Sequence, residues 1–160
     1  MNKFLNLILI LIFAISINSC EFKKKEAKAI KSESKETSIQ AFVDDFIIAF
    51  NNTDIDKIDQ LSASPFFFYV GGKLSSGKTY GAIVDFDAIK ESGWRYTTID
   101  DSEIFYQDDN SAQIRLGFTR YNDMDEAIVS SNVIWTLIKN DNKWKIKSAI
   151  ILENIALAKV

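Results

Sequence analysis

The chain has no histidine, one cysteine and one proline in 160 residues. Without histidine there are no imidazole general bases, no Ser–His–Asp triads and no histidine–metal sites. A single thiol cannot close an internal disulfide, and it excludes zinc or iron–sulfur sites built from several thiolates. A strong overall charge is also lacking, the formal net being −3. The charge is unevenly spread, however. Residues 21–36 carry six lysines and four glutamates, whereas residues 38–160 carry twelve Lys/Arg against eighteen Asp/Glu, a net of −6. An acidic domain repels phosphate backbones, so no nucleic-acid partner is expected.

The lone cysteine, Cys20, closes an N-terminal pattern. Met1-Asn2-Lys3 gives a positive start, residues 4–17 form an apolar stretch, and small or polar residues lead up to the thiol. This is the layout of a secretory signal peptide. Fourteen residues are short for a bilayer-spanning helix, which needs ~20. Ile17-Asn18-Ser19-Cys20 resembles the lipobox of bacterial lipoproteins, which implies cleavage before Cys20 and acylation of its thiol. Residues 21–36, rich in Lys, Glu and Ser, bury too little apolar surface to fold alone and read as a tether. The expected organisation is a signal peptide at 1–19, an acylated Cys20 with a flexible charged tether to residue 37, and a domain at 38–160. The expected location is the cell envelope, lipid-anchored, on the periplasmic side of the outer membrane or at the cell surface. The membrane would then be a partner through the N-terminal lipid.

Within the domain, Thr37 and Gln40 match a capping box. Ile39, Phe42, Val43, Phe46, Ile47 and Phe50 follow the spacing of an amphipathic helix. A second short helix starts at Thr53, with Ile55, Ile58 and Leu61 on one side, and stops before Pro65. Phe66 to Val70 reads as an aromatic strand, turned by Gly71-Gly72 into a short return strand. A third helix is expected over 83–92 with Gly93 as its C-terminal cap. Four strands follow, at about 94–106, 112–122, 127–139 and 143–152, punctuated by turns rich in Asp and Asn. Helices first and an antiparallel meander after them make an α+β domain.

Gly72-Lys73-Leu74-Ser75-Ser76-Gly77-Lys78-Thr79 fits the phosphate-binding pattern G-x4-G-K-[ST]. Such a loop belongs to a parallel sheet of βαβ crossovers, and the residues after Trp94 read as antiparallel hairpins. The expected role is therefore a hairpin whose glycines supply positive φ.

Gly117-Phe118-Thr119-Arg120-Tyr121-Asn122-Asp123, then Val133-Ile134-Trp135-Thr136-Leu137, then Asn140-Asp141-Asn142-Lys143-Trp144-Lys145-Ile146 and Ser148, resemble the nuclear transport factor 2-like superfamily. The group includes the ketosteroid isomerases and the SnoaL-like polyketide cyclases. The resemblance spans residues 38–152. It implies a cone-shaped, cystatin-like α+β fold with N-terminal helices packed on a curved antiparallel sheet and a pocket between them. Such pockets serve isomerases, cyclases and dehydratases, and also members that only bind or only hold structure, so the fold does not fix the function. The matched positions are scaffold positions, and no catalytic residue carries over. Histidine-dependent dehydratase chemistry is impossible in this chain.

Strand parity supplies the site candidates. Ala112, Ile114, Leu116 and Phe118 share one face, and Arg120 falls on it at the open end. Ser148 is expected inward with Trp144, Ile146 and Ile150 on the last strand. A buried arginine needs a carboxylate or an anionic ligand. Arg120 therefore either orients a ligand carboxylate or carbonyl, pairs with Asp44, Asp45 or another acid, or snorkels at the sheet edge. Tyr69, Trp94, Tyr96 and Trp135 either line an apolar cleft or pack as core. An isomerase would need one carboxylate as proton shuttle, and Asp45 on the first helix is the candidate. The expected role is the binding of a small apolar ligand or a partner protein without catalysis, cofactor or metal. A homodimer through the exposed sheet face is a further expectation, and a cofactor-free isomerase or lyase is the alternative.

Overall fold

In the computed structural model of the chain, residues 39–151 and 153 are described. The N-terminal pattern, Cys20, the tether and the capping threonine lie outside the described residues. The chain divides into two units, Met1–Gln40 and Ala41–Val160, and the fold described is that of the second. No helix among the described residues is long and apolar enough to cross a membrane.

Helix α1 covers residues 39–51. Phe42, Val43, Phe46, Ala49 and Phe50 are buried, and Asp44, Asp45 and Ile48 are exposed on the other side, as a 3.6-residue period requires. Thr53 leaves the helix in the left-handed region at φ 51°. Helix α2 (Ile55–Leu61) is capped by Asp54, whose carboxylate accepts the Lys57 N–H at 3.0 Å. The cap is thus one residue later than Thr53, because a carboxylate meets the free N–H groups of a first turn well. Strands β1 (Ser62–Val70) and β2 (Lys73–Gly77) form a hairpin about Gly71 and Gly72, both at positive φ. The phosphate-loop pattern is therefore mostly strand β2, whose backbone pairs with β1 from Phe66↔Gly77 to Val70↔Lys73. Helix α3 (Phe86–Glu91) is capped by Asp85 and followed by Gly93 at φ 87°.

The remaining strands are β3 (Tyr96–Gln107), β4 (Ser111–Tyr121), β5 (Ala127–Asn140) and β6 (Lys143–Ile151). One six-stranded sheet results, in the order β2-β1-β6-β5-β4-β3. It corrects the expectation of a purely antiparallel sheet, because β1 pairs with β6 in parallel. The meander β3–β6 is antiparallel as expected. Its last strand would otherwise end as an open edge, and β1 covers that edge.

One face of the sheet is apolar. Ala112, Ile114, Leu116 and Phe118 on β4, Val133, Trp135 and Leu137 on β5, and Phe66, Phe68 and Val70 on β1 are buried there. Strand β6 changes parity partway. Thr136 pairs with Ser148 but Leu137 with Ile146, so Lys147 is an extra residue in the strand. Trp144 and Ile146 point inward before this bulge, and Ala149 and Ile151 after it. Ser148 and Ile150 are thereby turned to the outer face, which corrects the inward placement of Ser148. A bulge of one residue exchanges the two faces of everything beyond it.

Aromatic rings fill the space between α1 and the sheet. Phe46 meets Tyr80 edge-on at 5.1 Å and Trp135 at 4.8 Å between ring centroids. Phe50 meets Trp94 edge-on at 5.5 Å and Phe86 at 5.0 Å. Each such ring contributes about 1.5–3 kcal/mol by leaving water, and edge-on pairing adds to that.

Candidate functional site

Between α1 and the inner face of the sheet the packing leaves a void of about 40 Å³. Phe46, Ile47 and Phe50 of α1 form one wall, and Phe68, Phe118, Val133 and Trp135 form the sheet side. Three polar side chains enter this apolar lining: Tyr80, Thr97 and Arg120. The void has room for about three water-sized groups.

Tyr80 lies on the loop between β2 and α3, where periodicity gives no signal. It is held there by its neighbours. Its backbone N–H donates to the Ser62 hydroxyl at 3.2 Å, and the Gly81 N–H donates to Asp59 Oδ1 at 3.1 Å. Asp59 and Ile55 crowd the space a side chain at position 81 would take, so glycine is required for this approach. The phenol is 5% exposed and packs against Phe46, Phe66 and Phe68. Among the described residues its hydroxyl has no hydrogen-bond partner. Burial pushes the phenol well above its ordinary pKa of 10.0, and the nearby Arg120 charge offsets a part of that. Tyr80 is thus a neutral hydrogen-bond donor at any ordinary pH.

Arg120 is 2% exposed on the inner face of β4, near the end of the strand, as parity predicts. Its guanidinium lies 5.9 Å from the centre of the Phe118 ring. Desolvation pushes its pKa down to about 10, against which the Tyr80 phenolate, when formed, acts favourably. The group remains a cation at neutral pH. Thr97 faces Arg120 across the β3–β4 ladder. Its hydroxyl oxygen accepts from Trp94 Nε1 at 2.9 Å. Its backbone is clamped from α1, the N–H donating to Asn51 Oδ1 at 2.8 Å and the carbonyl accepting from Asn51 Nδ2 at 2.9 Å. At the same end of the inner face Ser131 donates to Glu153 at 2.8 Å.

Of the residues singled out in the sequence, Arg120 and Trp135 meet in this chamber. Trp94 is buried behind Phe50 and Phe86 and serves the site through Thr97. Tyr96 stacks on Tyr121 at 5.0 Å and donates to Asp125 at 3.1 Å, away from the chamber. Tyr69 and Ser148 lie together on the outer face of the sheet with Phe67, Leu74 and Ile150. Asp45 is exposed on α1 and does not line the chamber. Tyr80 and Thr97 are chamber residues that sequence reasoning missed. No group of three or more Asp, Glu, His or Cys side chains suited to a metal ion occurs among the described residues.

The same architecture recurs in solved structures. A protein of unknown function with a cystatin-like fold from Nostoc punctiforme superposes with a TM-score of 0.60 at 19% identity, covering 74% of this chain and 89% of its own. An NTF2-like protein from Cytophaga hutchinsonii gives 0.58 at 15% identity, covering 75% and 98%. Aln2 from a Streptomyces species gives 0.57 at 16% identity, covering 74% and 89%. At these identities the likeness concerns the fold. No curated protein matches the chain by sequence. A family model described as NTF2-like protein (DUF6841) matches residues 33–154, which takes in the whole of the fold described above, and the chain belongs to that family.

Proposed function

We propose that this protein is a lipid-anchored envelope protein whose chamber binds a small ligand without transforming it. The ligand would carry one carboxylate or carbonyl on a compact apolar body. The observation that carries this reading is the pairing of a neutral Tyr80 donor and a cationic Arg120 in an otherwise apolar chamber. Two such donors suit an oxygen that bears charge or partial charge, and an apolar surround strengthens that interaction. The void of about 40 Å³ accepts a headgroup, and a larger body would have to displace Ile47 or Ile99 at the wall.

A cofactor-free isomerase or lyase is the rival reading. It needs a carboxylate within reach of the substrate carbon, and the chamber residues named above include no Asp or Glu. Glu153, tied to Ser131, is the acid to test for that role. Calorimetric titration with acetate, butyrate and hexanoate, and with the corresponding methyl ketones, tests binding. Saturable binding is expected, weakened about 10-fold or more in Arg120→Gln, as for loss of a charge-assisted hydrogen bond. Binding should survive Glu153→Gln. Heat-silent titrations, or equal affinity in wild type and Arg120→Gln, would remove the reading. The anchor rests on the sequence pattern around Cys20 and has its own test, since a Cys20 peptide without acyl mass would refute it.

A further inference from the structure

The outer face of the sheet divides sharply by charge. Strands β1, β2 and β6 contain no Asp or Glu, and β6 presents Lys143, Lys145 and Lys147 on this face. Strand β3 and the turn after it carry Asp100, Asp101, Glu103, Asp108 and Asp109, with no Lys or Arg between residues 96 and 110. The basic half is also where apolar groups face solvent. Leu74 is 71% exposed, Phe67 39% and Ile150 37%. With Tyr69 and Ser148 they line a groove of about 460 Å³. Lys147 Nζ stands 5.4 Å from the Phe67 ring centre and donates to the Pro65 carbonyl at 2.6 Å, and Lys145 reaches the Gln60 carbonyl. The Lys147 stem thus lies along Phe67, and exposed Lys143 continues the row of lysines along β6.

From this arrangement we infer that the β1–β2–β6 face docks on an anionic lipid bilayer, with Leu74 and Phe67 entering the headgroup–acyl boundary and the lysines meeting lipid phosphates. Apolar tips beside a row of cations are what such a boundary accommodates. The acidic half of the sheet is repelled from the same surface, which fixes the orientation. The inference concerns this face alone and rests on neither the chamber nor the acylation of Cys20.

The test uses the full chain with Cys20→Ser, so that no acyl group takes part. An environment-sensitive fluorophore is attached at Leu74→Cys, or at Gln113→Cys on β4 as the reference. With vesicles of phosphatidylcholine plus phosphatidylglycerol, emission at position 74 should rise and shift to the blue, and high salt should reverse it. Position 113 should stay unchanged. Adding Lys147→Ser should weaken the response about fivefold, the share of one lysine near an anionic surface. An unchanged signal at 74, or an equal response on phosphatidylcholine alone, overturns the inference. A response that grows with protein concentration and needs no vesicles also overturns it, in favour of a second copy.

Discussion

On the inner face of the sheet, Phe68, Phe118, Val133 and Trp135 surround a void of about 40 Å³. On the outer face, the same strands present Phe67, Gln113, Arg115 and Thr136 to solvent or near it. Strand alternation makes both faces from one sequence, yet they handle charge in opposite ways. Outside, Arg115 meets Glu103 at 2.8 Å with both side chains half exposed, and such pairs contribute little to stability. Inside, Arg120 is buried against aromatic rings, where desolvation is costly enough to shift its pKa.

The sharpest way to break this contrast is Phe46→Ala. Phe46 joins α1 to Tyr80 and Trp135, and its loss should cost about 3–5 kcal/mol in denaturant unfolding. A cost below about 1 kcal/mol would mean that the inner face is not a packed core. Next comes Gly117→Ala on the outer face. The Asp101 carboxylate accepts the Gly117 N–H at 2.7 Å and occupies the place of any side chain there. A loss of about 1–3 kcal/mol is expected, and an unchanged unfolding midpoint would show that the Asp101 side chain yields freely.

Tyr80→Phe should act in the opposite direction. Removing a buried hydroxyl that has no partner among the described residues should stabilise the fold by up to about 1 kcal/mol while weakening ligand binding. It also has a pH signature. The folded phenol holds its proton above the ordinary value of 10.0, so its share of stability is complete below that pH. That share declines as rising pH ionises the unfolded chain. Unfolding midpoints of Tyr80→Phe should therefore fall less steeply above pH 10.0 than those of the wild type. Parallel curves would contradict the burial of Tyr80.

Smaller effects belong to the acidic turn. The Tyr106 hydroxyl at 2.7 Å, then the N–H groups of Asn110 and Ser111, hold Asp108 well below the ordinary carboxylate value of 3.8. Its contribution is complete above that value and is lost as the pH falls below it. Asp108→Ala should flatten the acid limb of the stability profile without changing the inner core, as near-ultraviolet circular dichroism would show. Leu74→Ser should change stability by no more than about 0.5 kcal/mol, as for an exposed site outside any core. A larger loss would put Leu74 in a contact that the fold does not show.

Much of this architecture could be read from residue order. Phe42, Val43, Phe46 and Phe50 declare helix α1 by their spacing, and Ala112 through Arg120 alternate cleanly enough to point Arg120 inward. Ser148 could not be placed, because the bulge at Lys147 leaves no mark in the pattern of β6. Tyr80 was illegible for a different reason. Its position depends on Ser62 and Asp59, contacts 18 and 22 residues distant in the chain, and a loop residue has no period to betray its direction. The parallel pairing of β1 with β6 is likewise a long-range choice, made by which edge of the meander is left open.

The meaning of the inner face turns on whether Arg120 and Tyr80 hold something. Native mass spectrometry of the full chain, purified from its own cells and compared with Arg120→Gln prepared in the same way, measures this most directly. Wild-type chain should carry one small molecule with a carboxylate or carbonyl, and variant chain should come without it. Identical masses for the two, apart from the substitution itself, would contradict ligand recognition by this pair.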